Sequence, residues 1–189
     1  KLVPFADAAK KQGVKVYHLN LGQPDIKSPK CALDAIRGFN QENVSYSHSA
    51  GLMELRKGLV EKYYRKIGID ITVDELIVTV AGSESVNLAL EITCNPGDEV
   101  IVLEPFYTNY NTFAFMNGLT LKAIPTDIRN GFQIPPIEEF EKAITDKTKA
   151  ILVCNRGYPT GTQYSKESML ALGEIARRHD LFLLSDEVY

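Results

Sequence analysis

Residues 181–189 read LFLLSDEVY. Four apolar residues in succession suit a strand buried on both faces, and the run breaks at once into Ser185-Asp186-Glu187. A carboxylate at the C-terminal end of a buried parallel strand lies on the edge where open α/β sheets hold their ligands. Taken alone, Asp186 would serve equally well as the cap of a following turn. The rest of the chain weighs toward the ligand edge.

Upstream, LIVTV (76–80), EVIVL (99–103), LTLKAI (119–124) and KAILV (149–153) repeat the apolar run. Helical stretches separate them: one to about Thr93, an aromatic one after Pro105, one near 136–145 and one from Ser165 to Arg178. Strands alternating with helices predict an α/β fold with a largely parallel sheet and right-handed crossovers. Before the first strand, a helix is predicted from Gly51 through Ile67, with Leu52, Leu55, Leu59 and Tyr63 on one face and Gly68 as its C-cap. Residues 40–50 read as loop. A helix capped by Ser28 and opened by Pro29 runs to about Phe39, and VKVYHLNLG (14–22) alternates like a brief strand.

Bulk properties narrow the function classes. The chain has 189 residues, 44% of them apolar and 24% charged, as in ordinary globular domains. A net charge of −3 offers no basic stripe, so no nucleic-acid partner is expected. No apolar run has membrane-spanning length, and the N-terminus lacks the pattern of a secretory signal. Cys31, Cys94 and Cys154 are far apart with no CxxC pair, which suits reduced thiols in a cytoplasmic protein and no metal site. The chain begins without Met and stops three residues after Asp186, which predicts a fragment of something longer.

In a parallel sheet the strand C-terminal ends share one edge, so four loops converge there. Gly82-Ser83-Glu84 lies where a strand becomes a helix; free N–H groups, the helix dipole and a hydroxyl suit phosphate, although an ordinary N-cap serine reads the same way. Neither GxGxxG nor GxxxxGK is present, so dinucleotides and nucleoside triphosphates are not indicated. Phe106 and Tyr107 follow Pro105 and could stack on a flat ligand or join the core. Asp186 beside a heteroaromatic nitrogen would keep that nitrogen protonated, because ion pairing favours the charged form. Anion site, stacking ring and nitrogen-pairing carboxylate together describe a pocket for pyridoxal phosphate.

These segments resemble the class I/II aminotransferases, fold-type I pyridoxal-phosphate enzymes, in order along nearly the whole chain. LNLGQPD (19–25) is similar to the family's N-terminal segment, which implies that Gly22 lies beside the substrate carboxylate. YSHSAGLMELR (46–56) resembles Y-x-x-x-x-G-x-x-x-L-R, which implies that Tyr46 reaches the cofactor phosphate of the neighbouring subunit in a homodimer. VTVAGSESVNLAL (78–90) resembles the phosphate-cradling turn, giving Gly82, Ser83 and Glu84 to the cofactor. NPGDEVIVLEPFYTNY (95–110) resembles a pattern ending in P-x-aromatic-x-x-Y that places Tyr107 over the pyridine ring. SDEVY (185–189) resembles the segment whose Asp, here Asp186, pairs with the ring nitrogen and whose Tyr, here Tyr189, bonds the phenolic oxygen.

The resemblance implies a three-layer α/β/α large domain over 41–189, incomplete at its C-terminus, preceded by an N-terminal arm and small-domain segment over 1–40. It implies transfer of an amino group between an amino acid and a 2-oxo acid. Two departures bear on this. The family loop N-P-x-N-P-T-G is here Asn155-Arg156-Gly157-Tyr158-Pro159-Thr160-Gly161, so Asn155 is kept while Tyr158 stands where the second Asn bonds the phenolic oxygen. Tyr158 either donates to the same oxygen or is displaced from the pocket. The Schiff-base lysine of the family lies downstream in an S-x-x-K context, and no lysine here has that setting. Two alternatives therefore stand beside the aminotransferase reading: a non-catalytic fragment or engineered scaffold, and a lyase or decarboxylase of the same fold.

Overall fold

The computed structural model describes residues 2–19, 22 and 24–188. It divides into two compact units, 1–46 and 47–189. In the first unit, helix α1 (Val3–Lys11) and helix α2 (Lys30–Arg37) bury no residue. The strand predicted over 14–22 does not form among the described residues there; the segment has no ladder partner, and alternation alone does not make a strand. No described helix is long and apolar enough to cross a membrane.

The second unit begins with α3 (Met53–Lys62), which tightens into a 3₁₀ turn (Tyr64–Ile67) and stops at Gly68, whose φ of +79° gives the left-handed cap. The face that α3 buries is not the predicted one. Leu52, Leu55 and Tyr63 are exposed, whereas Arg56 and Val60 are buried. The Arg56 guanidinium donates through Nη1 to the Val73 carbonyl at 2.8 Å, and that contact turns its own face inward.

Helix α4 (Gly82–Thr93) leads to β1 (Glu99–Glu104), α5 (Asn109–Met116), β2 (Thr120–Pro125), α6 (Ile137–Ala143), β3 (Thr148–Cys154), α7 (Lys166–Arg178) and β4 (Phe182–Asp186). The four strands form one sheet in the order β2-β1-β3-β4, every pair parallel. Successive residues of β1 point to opposite faces. Val100 and Val102 pack with Leu90 of α4 and Phe113 of α5, while Ile101 and Leu103 pack with Phe140 of α6 and Leu172 and Ile175 of α7. Helices on both faces explain why β1 and β3 are apolar without alternation over 100–103 and 150–153. This is the three-layer α/β/α arrangement.

Residues 76–80 are not a strand of that sheet. Their link to earlier chain is the Val78 N–H donating to the Ala50 carbonyl at 3.0 Å, and Ile77 and Val80 are 64% and 94% exposed. An apolar run reports affinity for a sheet, not the presence of a neighbour to pair with. Gly51 is needed where this segment passes. Its φ is +93°, and a Cβ there would lie 2.6 Å from the Cβ of Val78.

Candidate functional site

The C-terminal ends of β1, β3 and β4 share one edge, as parallel pairing requires, with Cys154 opposite Asp186. Asp186 is half-buried there. Its Oδ2 accepts a hydrogen bond from the Tyr110 hydroxyl at 2.7 Å, and its Oδ1 accepts from the Val188 N–H at 3.3 Å. Its carbonyl accepts from the Asn155 N–H at 2.9 Å, which ties the end of β4 to the loop after β3. Tyr110 is 1% exposed. Burial, then the bond to Asp186, raises its phenol far above the ordinary range, so it remains a neutral donor. Cys154 stands beside it with a thiol also pushed up, first by burial, and its Sγ donates to the Arg156 carbonyl at 3.4 Å.

Tyr110 also connects Asp186 to the aromatic residues. Its ring meets Tyr107 edge to face, with centroids 5.6 Å apart at 89°, and stacks on Phe106 at 6.2 Å and 10°. Tyr107 meets Tyr158 in the same perpendicular way, at 5.6 Å and 83°, and its hydroxyl accepts from Asn109 Nδ2 at 2.7 Å. The side-chain carbonyl of Asn155 accepts from the Tyr164 N–H at 3.1 Å. Asp186, Tyr107, Asn155 and Tyr158 thus form one linked cluster, with Tyr110 at its centre.

A cavity of about 410 Å³ joins the start of α4 to the end of β4, with Gly82, Ser85, Leu184, Ser185, Asp186 and Val188 in its wall. A Cβ on Gly82 would lie 3.1 Å from Val188 Cγ2, so the helix start and the chain after β4 approach closely. α4 is 12 residues long and begins without a side-chain cap. Among the described residues, nothing accepts from the N–H groups of Gly82 and Ser83. Those are the donors a helix N-terminus offers an anion. The carboxylate of Glu84 accepts from the Val80 N–H at 2.6 Å, which keeps its charge engaged with backbone. Ser85 Oγ is bonded to Thr79 Oγ1 at 2.6 Å. Ser83 is exposed at the helix start.

Gly22 and Tyr46 belong to the first unit and are exposed there, and Tyr189 lies outside the described residues. Sequence reasoning gave no role to Tyr110. Its signal was present all the same: it ends the P-x-aromatic-x-x-Y pattern, three residues after Tyr107, where two side chains near a helix start meet on one face. Uncapped N–H groups, a fixed carboxylate and a half-buried ring beside it fit a ligand with an anionic group and a protonated heteroaromatic ring.

The chain is 38% identical over 181 residues to an aspartate/prephenate aminotransferase of Thermus thermophilus, covering 95% of this chain and 47% of that relative. The structure superposes on a single mutant of the Thermus thermophilus aspartate aminotransferase with TM-score 0.91 and 37% identity, over 100% of this chain and 49% of the other. On an alanine aminotransferase from Pyrococcus furiosus the TM-score is 0.88 with 37% identity, again over 100% and 49%. The chain therefore spans about half the length of these relatives. The family model for aminotransferase class I and II matches residues 14–189, and the chain belongs to that family.

Proposed function

We propose that this chain is the pyridoxal-phosphate-binding part of an aminotransferase that moves an amino group between an amino acid and a 2-oxo acid. The observation that carries the proposal is the 2.7 Å bond from Tyr110 to Asp186, which fixes one carboxylate oxygen at the sheet edge beside the uncapped start of α4. When bound, the cofactor supplies an electron-poor ring that accepts the electrons released at the substrate α-carbon.

The residues of this chain hold and bias that ring. Asp186 keeps the pyridine nitrogen protonated, with Tyr110 fixing its orientation from behind. Gly82 and Ser83 bind the phosphate through their N–H groups, with the Ser83 hydroxyl beside them, and Glu84 holds the turn that presents them. Tyr107 lies against the ring, and Asn155 and Tyr189 border its phenolic side. The resemblance gives Gly22 to a substrate carboxylate and Tyr46 to the cofactor phosphate of a second subunit in a homodimer. Free thiols suit a cytoplasmic enzyme. The names of the relatives span aspartate, prephenate and alanine, so the proposal stops at an α-amino acid and its 2-oxo acid.

Among the described residues, no lysine lines the cavity at Asp186. Titration with pyridoxal phosphate and with pyridoxal tests the anion site. Pyridoxal is expected to bind at least about tenfold more weakly, since charge-assisted hydrogen bonds at a helix N-terminus are worth about 1.5–3 kcal/mol. Equal affinity for the two would remove the start of α4 from the site.

A further inference from the structure

Tyr158 stands in a loop that closes on itself. The Gly157 N–H donates to the Thr162 carbonyl at 2.7 Å, and the Gly161 N–H donates to the Gly157 carbonyl at 2.6 Å. A Cβ on Gly157 would lie 2.7 Å from Thr160 Oγ1, so the turn is tight at the residue before Tyr158. Asn155 anchors the loop at its start through the Tyr164 N–H. The crevice between Phe106, Cys154, Tyr158 and Tyr164 has a volume of about 10 Å³, at most the space of one water. The Tyr158 side chain is therefore presented at a fixed place against packed neighbours.

What it meets there is the ring of Tyr107, at 5.6 Å and 83°. Tyr110 meets that same ring at 89° from the helix that follows. Two perpendicular rings from separate segments fix the plane of Tyr107 more tightly than either alone, because edge-to-face contact has a preferred geometry. We infer that Tyr158 is a positioning residue whose ring sets the tilt of Tyr107. This deepens the cofactor reading and rests on it.

The test uses the 189-residue chain with ¹³C-labelled tyrosine rings, the Tyr107 signals being assigned from Tyr107→Phe. In the free protein, Tyr158→Ala is expected to shift the Tyr107 ring signals, and Tyr158→Phe is expected to restore them. In pyridoxal-phosphate titrations, Tyr158→Ala is expected to weaken binding by roughly two- to tenfold, the scale of one aromatic pair, with Tyr158→Phe again restoring it. Tyr107 signals unmoved by Tyr158→Ala would overturn the inference. So would a Tyr158→Phe chain that binds as weakly as Tyr158→Ala while its Tyr107 signals stay in place, because the hydroxyl would then be the working group. If even the unsubstituted chain fails to bind, the cofactor reading falls, and the resonance shifts decide the ring contact independently.

Discussion

Asp186→Ala is expected to weaken pyridoxal-phosphate binding by roughly ten- to a hundredfold, a hydrogen bond to a charged group being worth about 1.5–3 kcal/mol. The change removes the partner of the ring nitrogen. It also strips the acceptor from the Tyr110 hydroxyl, which is 1% exposed and has no solvent to turn to. Leaving a buried donor unpaired costs about 1–3 kcal/mol, so the variant should also be less stable. Asp186→Asn separates the two effects, since an amide oxygen can still accept from Tyr110 while the negative charge is gone. It should bind as poorly as Asp186→Ala and unfold closer to the unsubstituted chain. Lys147→Ala, at an exposed position, is the reference for a change that touches nothing in the site. Titrations followed by cofactor absorbance make the comparison, and equal affinity for Asp186→Ala and Lys147→Ala would take Asp186 out of the site.

The largest effect on stability is expected at Phe140. It is 0% exposed and joins α6 to the sheet in the cluster with Ile101, Leu103, Ile151, Leu172 and Ile175. Phe140→Ala deletes a ring from a close-packed layer that can collapse only in part, so urea unfolding should show a loss of about 3–5 kcal/mol. That is a large share of the roughly 5–15 kcal/mol that holds a domain together. Phe115 provides the contrast on the other face. It is 85% exposed, and Phe115→Ala should change stability by no more than about 0.5 kcal/mol. Similar losses at the two positions would contradict the layer arrangement.

The two central strands were legible in the sequence for a simple reason. After their first residues, Glu99 and Lys149, EVIVL and KAILV are buried on both faces by helices, so the remaining positions are all apolar. LIVTV carries the same signal and forms no strand, because pairing depends on a neighbour that local sequence does not specify. The helix predicted from Gly51 through Ile67 forms as Met53–Lys62 followed by a 3₁₀ turn, and it buries a different face from the leucine one. Counting leucines ignored Arg56, whose long stem buries well once its head meets the Val73 carbonyl.

The site shows the same division. The strand end alone leaves Asp186 open between a ligand edge and a turn cap, and the other loops that converge there weigh toward the ligand. Its connection to Tyr110 joins residues 76 positions apart, which no periodicity reveals. Tyr158 was visible as a substitution within a loop pattern, and both of its possible fates were stated. The ring geometry against Tyr107 supports the inference that the position holds a neighbouring ring.

In the proposed reading, Asp186, Tyr107 and the start of α4 grip the cofactor, and among the described residues no lysine lines the cavity beside Asp186. Saturating the 189-residue chain with pyridoxal phosphate, reducing with borohydride and measuring the intact mass tests that claim most directly. Saturable binding before reduction and no stoichiometric adduct afterwards are expected, with any trace labelling scattered over many lysines. A single adduct per chain, mapped to one lysine, would contradict it.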